Sequence, residues 1–243
     1  MIIYHLSLYV SYYKIQLSLS DLTNYVIGIF MQLYSFFNSS TSYRVRIALA
    51  IKGIAYEYKG VNIRIGEQAS PEYLKLNKSK GVPVLIADDE FQLTQSLAVI
   101  QYLDDLQPSP LLIPKDPKAK ARVLELSNAI ACDMHPVNNL KILGYLKNEL
   151  KITEDQKNAW YQHWVAEGFS AVEALLEKYG EGPYCFGSSP TLADCCLVPQ
   201  VANALRFNCD LSSFEKVMRV YQHCISQPQF QQAAPKNQPD FSD

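Results

Sequence analysis

Apolar and polar positions in the first half of the chain change period several times, and each change predicts an element. Gln32-Leu33-Tyr34-Ser35-Phe36-Phe37 is a short apolar run of the kind a buried strand makes. Behind it, Val45, Ile47, Ala48, Leu49 and Ile51 mix with Arg44, Arg46 and Lys52 in a helical pattern that ends at Gly53. Tyr56-Glu57-Tyr58-Lys59-Gly60-Val61-Asn62 alternates as a second strand, and Pro71-Glu72-Tyr73-Leu74-Lys75-Leu76 gives a short helix. Val82-Pro83-Val84-Leu85-Ile86 reads as a buried strand opening on proline; Asp88-Asp89 makes a turn, and Glu90-Phe91-Gln92-Leu93 pairs back as a hairpin. Residues 95–103 form a helix. The order β-α-β-α-β-β-α predicts a thioredoxin-like α/β layer of modest size.

Beyond residue 106 the strand pattern stops. Pro108, Pro110, Pro114 and Pro117 cannot continue a helix and read as a stiff linker. Residues 118–134 are helical, 137–147 continue after Pro136, and a long helix over 154–179 carries Trp160, Trp164, Val172, Leu175 and Leu176 at helical spacing, all read as core. Thr191 and Asp194 have capping-box spacing ahead of the apolar run Cys195-Cys196-Leu197-Val198-Pro199, so a buried helix bent near Pro199 is expected. The predicted domains are therefore an extension over 1–30, an α/β domain over 31–112 and an all-helical domain over 118–239.

Residues 1–30 are rich in Tyr, Ile, Leu and Ser and carry only Lys14 and Asp21 as charges. They lack the basic start and small-residue end of a signal peptide, and Lys14, Gln16, Asp21 and Asn24 interrupt a membrane span. The reading is a poorly packed extension ahead of Met31, a start codon set too early, with a membrane-surface segment as the alternative. A formal net charge of −2 over 243 residues, with no basic tract, argues against nucleic-acid binding. Six cysteines are scattered with no C-x-x-C, as in a reduced cytoplasmic protein.

Phosphate loops, zinc-ligand spacings and nucleophile elbows are absent from the sequence, and no metal is called for. Three other features converge. Asn38-Ser39-Ser40-Thr41-Ser42 puts four hydroxyls where a strand turns into a helix, which offers free N–H groups, a positive dipole end and hydroxyl donors to an anion such as a thiolate; simple capping is the commoner use. Val82-Pro83, with a cis bond, would turn the Val82 N–H and C=O outward to pair with an extended peptide; otherwise it is a plain edge proline. Gln95-Ser96 opens a helix, where the pair caps or binds a carboxylate. A ligand matching all three is a small peptide with a free carboxylate and ammonium at one end and a thiol in the middle, which is the shape of glutathione.

On these residues the chain resembles the zeta class of glutathione transferases, over essentially residues 31–239. The class signature, two serines followed by a cysteine, a tryptophan and R-V-R-I-A-L, reads here as Ser39-Ser40-Thr41-Ser42-Tyr43-Arg44-Val45-Arg46-Ile47-Ala48-Leu49, and Gln95-Ser96-Leu97-Ala98 and residues 197–204 also match. The resemblance implies the cytosolic glutathione transferase architecture, glutathione as cofactor, a homodimer, and no nucleic-acid or membrane partner. It implies glutathione contacts from Ser39, Ser40, Thr41, Ser42, Tyr43, Arg44, Gln68, Val82, Gln95, Ser96, Asn139, Leu140 and Lys141, and from His135, where the family often has Gln. Ser39, Ser40 and Thr41 carry the catalytic role, and Arg206 binds a substrate carboxylate.

The activity implied is isomerisation of maleylacetoacetate, a small unsaturated dicarboxylic acid, to fumarylacetoacetate. Maleylpyruvate isomerisation, conjugation to α-halo acids, and a non-catalytic glutathione-binding protein are the alternatives. Two departures stand out: the family's cysteine is Thr41 and its tryptophan Tyr43. Because glutathione brings its own thiol, activity is expected to survive the first.

Overall fold

The computed structural model describes residues 31–87 and 90–242. The expectations for residues 1–30 and for the Asp88-Asp89 turn lie outside them. The order of elements begins β1 (Gln32–Ser35), α1 (Ser40–Lys52), β2 (Glu57–Gly60), α2 (Pro71–Leu76), β3 (Val84–Ile86), β4 (Gln92–Thr94) and α3 (Ser96–Leu106). The sheet order is β2-β1-β3-β4, with β1 parallel to β2 and the other pairs antiparallel, so the thioredoxin-like reading holds. Leu33 faces Leu85 across β1 and β3, and both are buried on the helix-covered face.

The helical half follows with α4 (Pro117–Asn128), a π-helical turn (Ala129–Met134), one further α-turn (His135–Val137), α5 (Leu140–Asn148), α6 (Glu154–Tyr179), α7 (Leu192–Arg206), α8 (Glu215–Ile225) and α9 (Pro228–Ala233). The helix passes through Pro136 and breaks only at Asn138 and Asn139, because the wider π-turn absorbs the missing N–H of the proline. Asn139 then caps α5 by accepting from the Lys141 N–H at 3.2 Å. On α6 the buried stripe is Tyr161, Val165, Phe169, Val172 and Leu176. The two tryptophans flank it half-buried, with Trp160 Nε1 donating to the Val137 carbonyl at 3.0 Å.

One apolar core runs through both halves, from Leu33, Ile47 and Leu49 to Phe169, Leu197 and Val201. Its central contact is α1 against α7. The proline-rich segment is pinned to it by a buried pair: Lys52 Nζ lies 2.6 Å from Asp104 and donates to the Gln107 and Pro110 carbonyls, while Asp104 takes the Leu112 and Ile113 N–H groups. The linker thus fixes the orientation of the two halves around the space between them. Among the described residues no His, Cys, Asp and Glu cluster is placed to hold a metal ion, and no helix is long and apolar enough to cross a membrane.

Candidate functional site

The hydroxyl-rich turn lies where the sequence places it, between β1 and α1, and Ser39 is the N-cap of α1 with extended backbone. With Asn38, Ser40 and Tyr43 it forms one wall of an open cleft whose other wall includes Pro199 and Asn203 of α7. No acidic residue occupies the first turn of α1. The Ser40 and Thr41 N–H groups make no hydrogen bond among the described residues. The positive end of α1 is therefore uncompensated at the cleft.

The hydrogen bonds order the protons of the turn. Thr41 has a single hydroxyl proton and donates it to the Val82 carbonyl at 2.7 Å. In the 2.9 Å contact between Ser39 Oγ and Thr41 Oγ1, Ser39 must then be the donor, while its oxygen accepts from the Ser42 N–H at 3.3 Å. Two of the hydroxyls are thus committed. Ser42 is wholly buried and its hydroxyl has no partner. Ser40 lines the cleft and its hydroxyl donates to nothing among the described residues, so it alone keeps a proton for an incoming anion.

Val82-Pro83 is cis, and so is Ser109-Pro110. The Val82 N–H is free among the described residues, but its carbonyl is held by Thr41. Gln95, the N-cap of α3, sits at φ 72 and ψ 109, a region that costs a non-glycine residue energy, and its exposed amide makes no capping bond. Beside it Ser96 is buried, and its Oγ accepts from Arg44 Nη1 at 3.4 Å. Arg44 itself is 1 % exposed, with Nε and Nη2 unpaired, so it reaches the ligand side only through Ser96. Gln68, in the short turn Glu67–Ala69 ahead of α2, has a buried side-chain carbonyl oxygen without a partner.

The remaining candidates spread outward. His135 packs toward Arg44, and burial first and the arginine charge second pull its pKa down to about 3 despite the neighbouring Gln200 amide. Its Nε2 lies 3.3 Å from Asn139 Nδ2. Leu140 and Lys141 are exposed at the start of α5, and no hydrogen bond ties their side chains to the turn among the described residues. Arg206 closes α7, donates to the Asn203 side chain, and lies over the Phe207 ring at 5.0 Å. Asn203 also donates to the Tyr161 hydroxyl at 2.6 Å. Sequence reasoning passed over Asn38 and Asn203; the three-residue step from Asn203 to Arg206 on one helix face was the available signal.

A thioredoxin-like layer whose cis-proline segment and α3 start are both hydrogen-bonded to the first helix, with a cleft between that helix's N-terminus and a helical domain, is the framework of a transferase that binds a thiol peptide. The chain belongs to the glutathione S-transferase family: models of the family's N-terminal and C-terminal domains match residues 30–105 and 158–216. It is 46% identical over 210 residues to a probable maleylacetoacetate isomerase of Vibrio cholerae, covering 86% of this chain and 97% of that one. A bacterial maleylpyruvate isomerase of the zeta class, solved in its holo form, superposes with a TM-score of 0.84 at 41% identity, over 87% of this chain and all of that one. The maleylacetoacetate isomerase of Anaeromyxobacter dehalogenans, with dicarboxyethyl glutathione and citrate in its active site, gives a TM-score of 0.79 at 35% identity, over 88% of this chain and 94% of that one.

Proposed function

We propose that this chain is a glutathione-dependent cis–trans isomerase that converts maleylacetoacetate to fumarylacetoacetate. The observation that carries the reading is the free Ser40 hydroxyl at an uncompensated helix N-terminus beside the cleft. The residues present fit glutathione: a free Val82 N–H for its peptide, an exposed Gln95 amide and the α3 N-terminus for its γ-glutamyl end, and the orphan Gln68 oxygen for a further polar contact.

When bound, glutathione supplies a thiol whose anion adds reversibly to the cis double bond, so that rotation and elimination return the trans isomer. Ser40 and the first N–H groups of α1 lower the cost of negative charge at the sulfur position, as helix N-termini do for thiols. Ser39 and Thr41 fix the turn by passing their protons to Thr41 and Val82, and the Val82 carbonyl keeps a second lone pair for a peptide N–H. Arg206 holds a carboxylate of the acceptor and favours the charge that develops on it. A relative whose active site holds glutathione carrying a dicarboxyethyl group supports a cleft that takes thiol and diacid together.

The decisive assay mixes protein, glutathione and maleylacetoacetate. Loss of the cis isomer no faster than with glutathione alone would sink the reading. Maleylpyruvate is the second substrate to compare, because the holo maleylpyruvate isomerase shares the fold this closely. The larger kcat/KM decides between them. We further place the protein in the cytoplasm as a homodimer, on the family resemblance and on its cysteines, which are all free thiols; sedimentation at assay concentration tests the dimer.

A further inference from the structure

The hydroxyl-rich stretch is entered through a tight turn over residues 36–39, closed by the Ser39 N–H donating to the Phe36 carbonyl at 3.0 Å. Phe37 and Asn38 form its corner, and the first corner N–H of such a turn needs an acceptor from elsewhere. That acceptor comes from the far end of the chain. Asp240 Oδ2 takes the Phe37 N–H at 3.1 Å, across 203 positions, and its Oδ1 takes the Tyr58 hydroxyl of β2 at 2.6 Å. Gly60, the last residue of β2, leaves room for it: Asp240 Cβ stands 3.4 Å from where a Gly60 Cβ would be. Phe241 then sets its ring edge-on to that of Phe37, with centres 5.4 Å apart.

The carbonyls of the turn depend on the chain end as well. Arg46 donates to the Phe36 carbonyl at 3.2 Å and to the Phe37 carbonyl at 2.8 Å, while its Nε is anchored on the Ala233 carbonyl at 3.0 Å. Between Ala233 and Asp240, Pro235 lines the cleft beside Asn38, Ser39 and Ser40. Gln238, itself buried, braces the segment by donating to the Gln232 and Ala234 carbonyls. The last residues therefore meet one wall of the cleft in three ways. They line it, they anchor the arginine that holds its carbonyls, and they accept the Phe37 N–H.

We propose that residues 234–241 are a strap that sets the position of the hydroxyl-rich turn, with Asp240 as the positioning residue for Ser40. The inference deepens the isomerase reading and rests on it for the reaction, though not for the placing of the turn. Asp240 does not line the cleft. It holds Phe37, and Asn38 and Ser39 carry the chain from there into Ser40. Releasing it lets the turn relax, while Gln68, Val82 and Gln95, on other segments, keep their places for glutathione. The loss then shows in the reactivity of the thiol and not in the binding of the peptide.

The test uses the full chain as wild type, Asp240→Ala and Asp240→Asn, at a temperature where circular dichroism shows each folded. It reads the pKa of the bound glutathione thiol from the ultraviolet absorbance of the thiolate, beside kcat and KM for maleylacetoacetate and glutathione. Asp240→Ala is expected to raise that pKa by about one pH unit and to lower kcat about tenfold at a pH below it, the matching loss of thiolate. The glutathione KM should stay within about twofold. Asp240→Asn keeps the volume and one of the two acceptors, and should fall between; if Asp240→Ala does not fold, Asp240→Asn decides by a smaller change of the same sign. Unchanged thiol pKa and kcat beside a lower melting temperature would reduce Asp240 to a structural tie and overturn the proposal. So would a glutathione KM that rises while kcat holds. Wild type that lowers the thiol pKa through Asp240 but isomerises nothing keeps this inference and rejects the proposed reaction. Wild type that isomerises with the thiol pKa left at its value in free glutathione rejects this inference and keeps the reaction.

Discussion

Two of the helices that begin on a hydroxyl residue end up doing opposite things. At the start of α7, Asp194 reaches back as the capping-box spacing predicts: its carboxylate accepts from the Thr191 N–H and the Cys185 N–H at 2.8 Å and from the Thr191 hydroxyl at 2.9 Å. The group is wholly buried, and burial pushes its pKa up against those three donors. At the start of α1 no acid takes that place, Ser40 keeps its proton, and the helix end opens on a cleft. A dipole that is neutralised from within holds the fold together; one that is left open is available to a ligand.

The comparison breaks most visibly at Asp194. Asp194→Ala strands two buried N–H groups and a hydroxyl, and is expected to cost about 3–5 kcal/mol. A denaturant titration should show a lower midpoint with an unchanged slope. Survival with less than about 1 kcal/mol lost would mean that the two helix starts are not so different. Ser40→Ala should do the reverse. It is expected to lower kcat/KM for the cis diacid by about 10²- to 10³-fold, as loss of one oriented donor does, with the melting temperature nearly unchanged. Ser39→Ala, by contrast, removes the N-cap and should cost about 1 kcal/mol of stability with a smaller kinetic loss. Equal kinetic losses at the two serines would refute the proton order drawn here.

His135 gives the comparison a pH dependence of intermediate size. In the unfolded chain its ring takes up a proton near pH 6.5, whereas in the fold it stays neutral down to about pH 3. Between those values the unfolded state binds more protons, so stability is fully present above about pH 6.5 and is lost as the pH falls. At pH 5 the loss should be about 1–2 kcal/mol relative to pH 7.5, and His135→Gln should abolish that part of the slope. Chemical denaturation of both proteins at the two pH values checks it.

Much of this was legible along the chain, because periodicity survives wherever an element buries one side. The helix over 71–76 and the long helix over 154–179 have the ends expected of them. Strand ends were read too long: 56–62 shortens to Glu57–Gly60, since only residues in register with β1 can pair. The α6 stripe was read from its tryptophans, which are large but only half-buried, when Tyr161 and Phe169 face the core. Side chains with both apolar bodies and polar edges mislead a periodicity count in this way. Among the candidate site residues, Ser40 and Gln95 stood out in the sequence as polar types at the starts of helices.

What the chain determines by itself is local: which runs bury a face, where helices begin, and that one beginning has hydroxyls and no acid. Those properties follow from residue spacing and side-chain chemistry within a few positions. Which hydroxyl keeps its proton was decided by tertiary structure, since Val82 reaches Thr41 across 41 positions and commits the rest of the turn in sequence. The same holds for Arg44, hidden behind Ser96. Hydrogen bonds and charges act through space, and only the folded chain sets those distances.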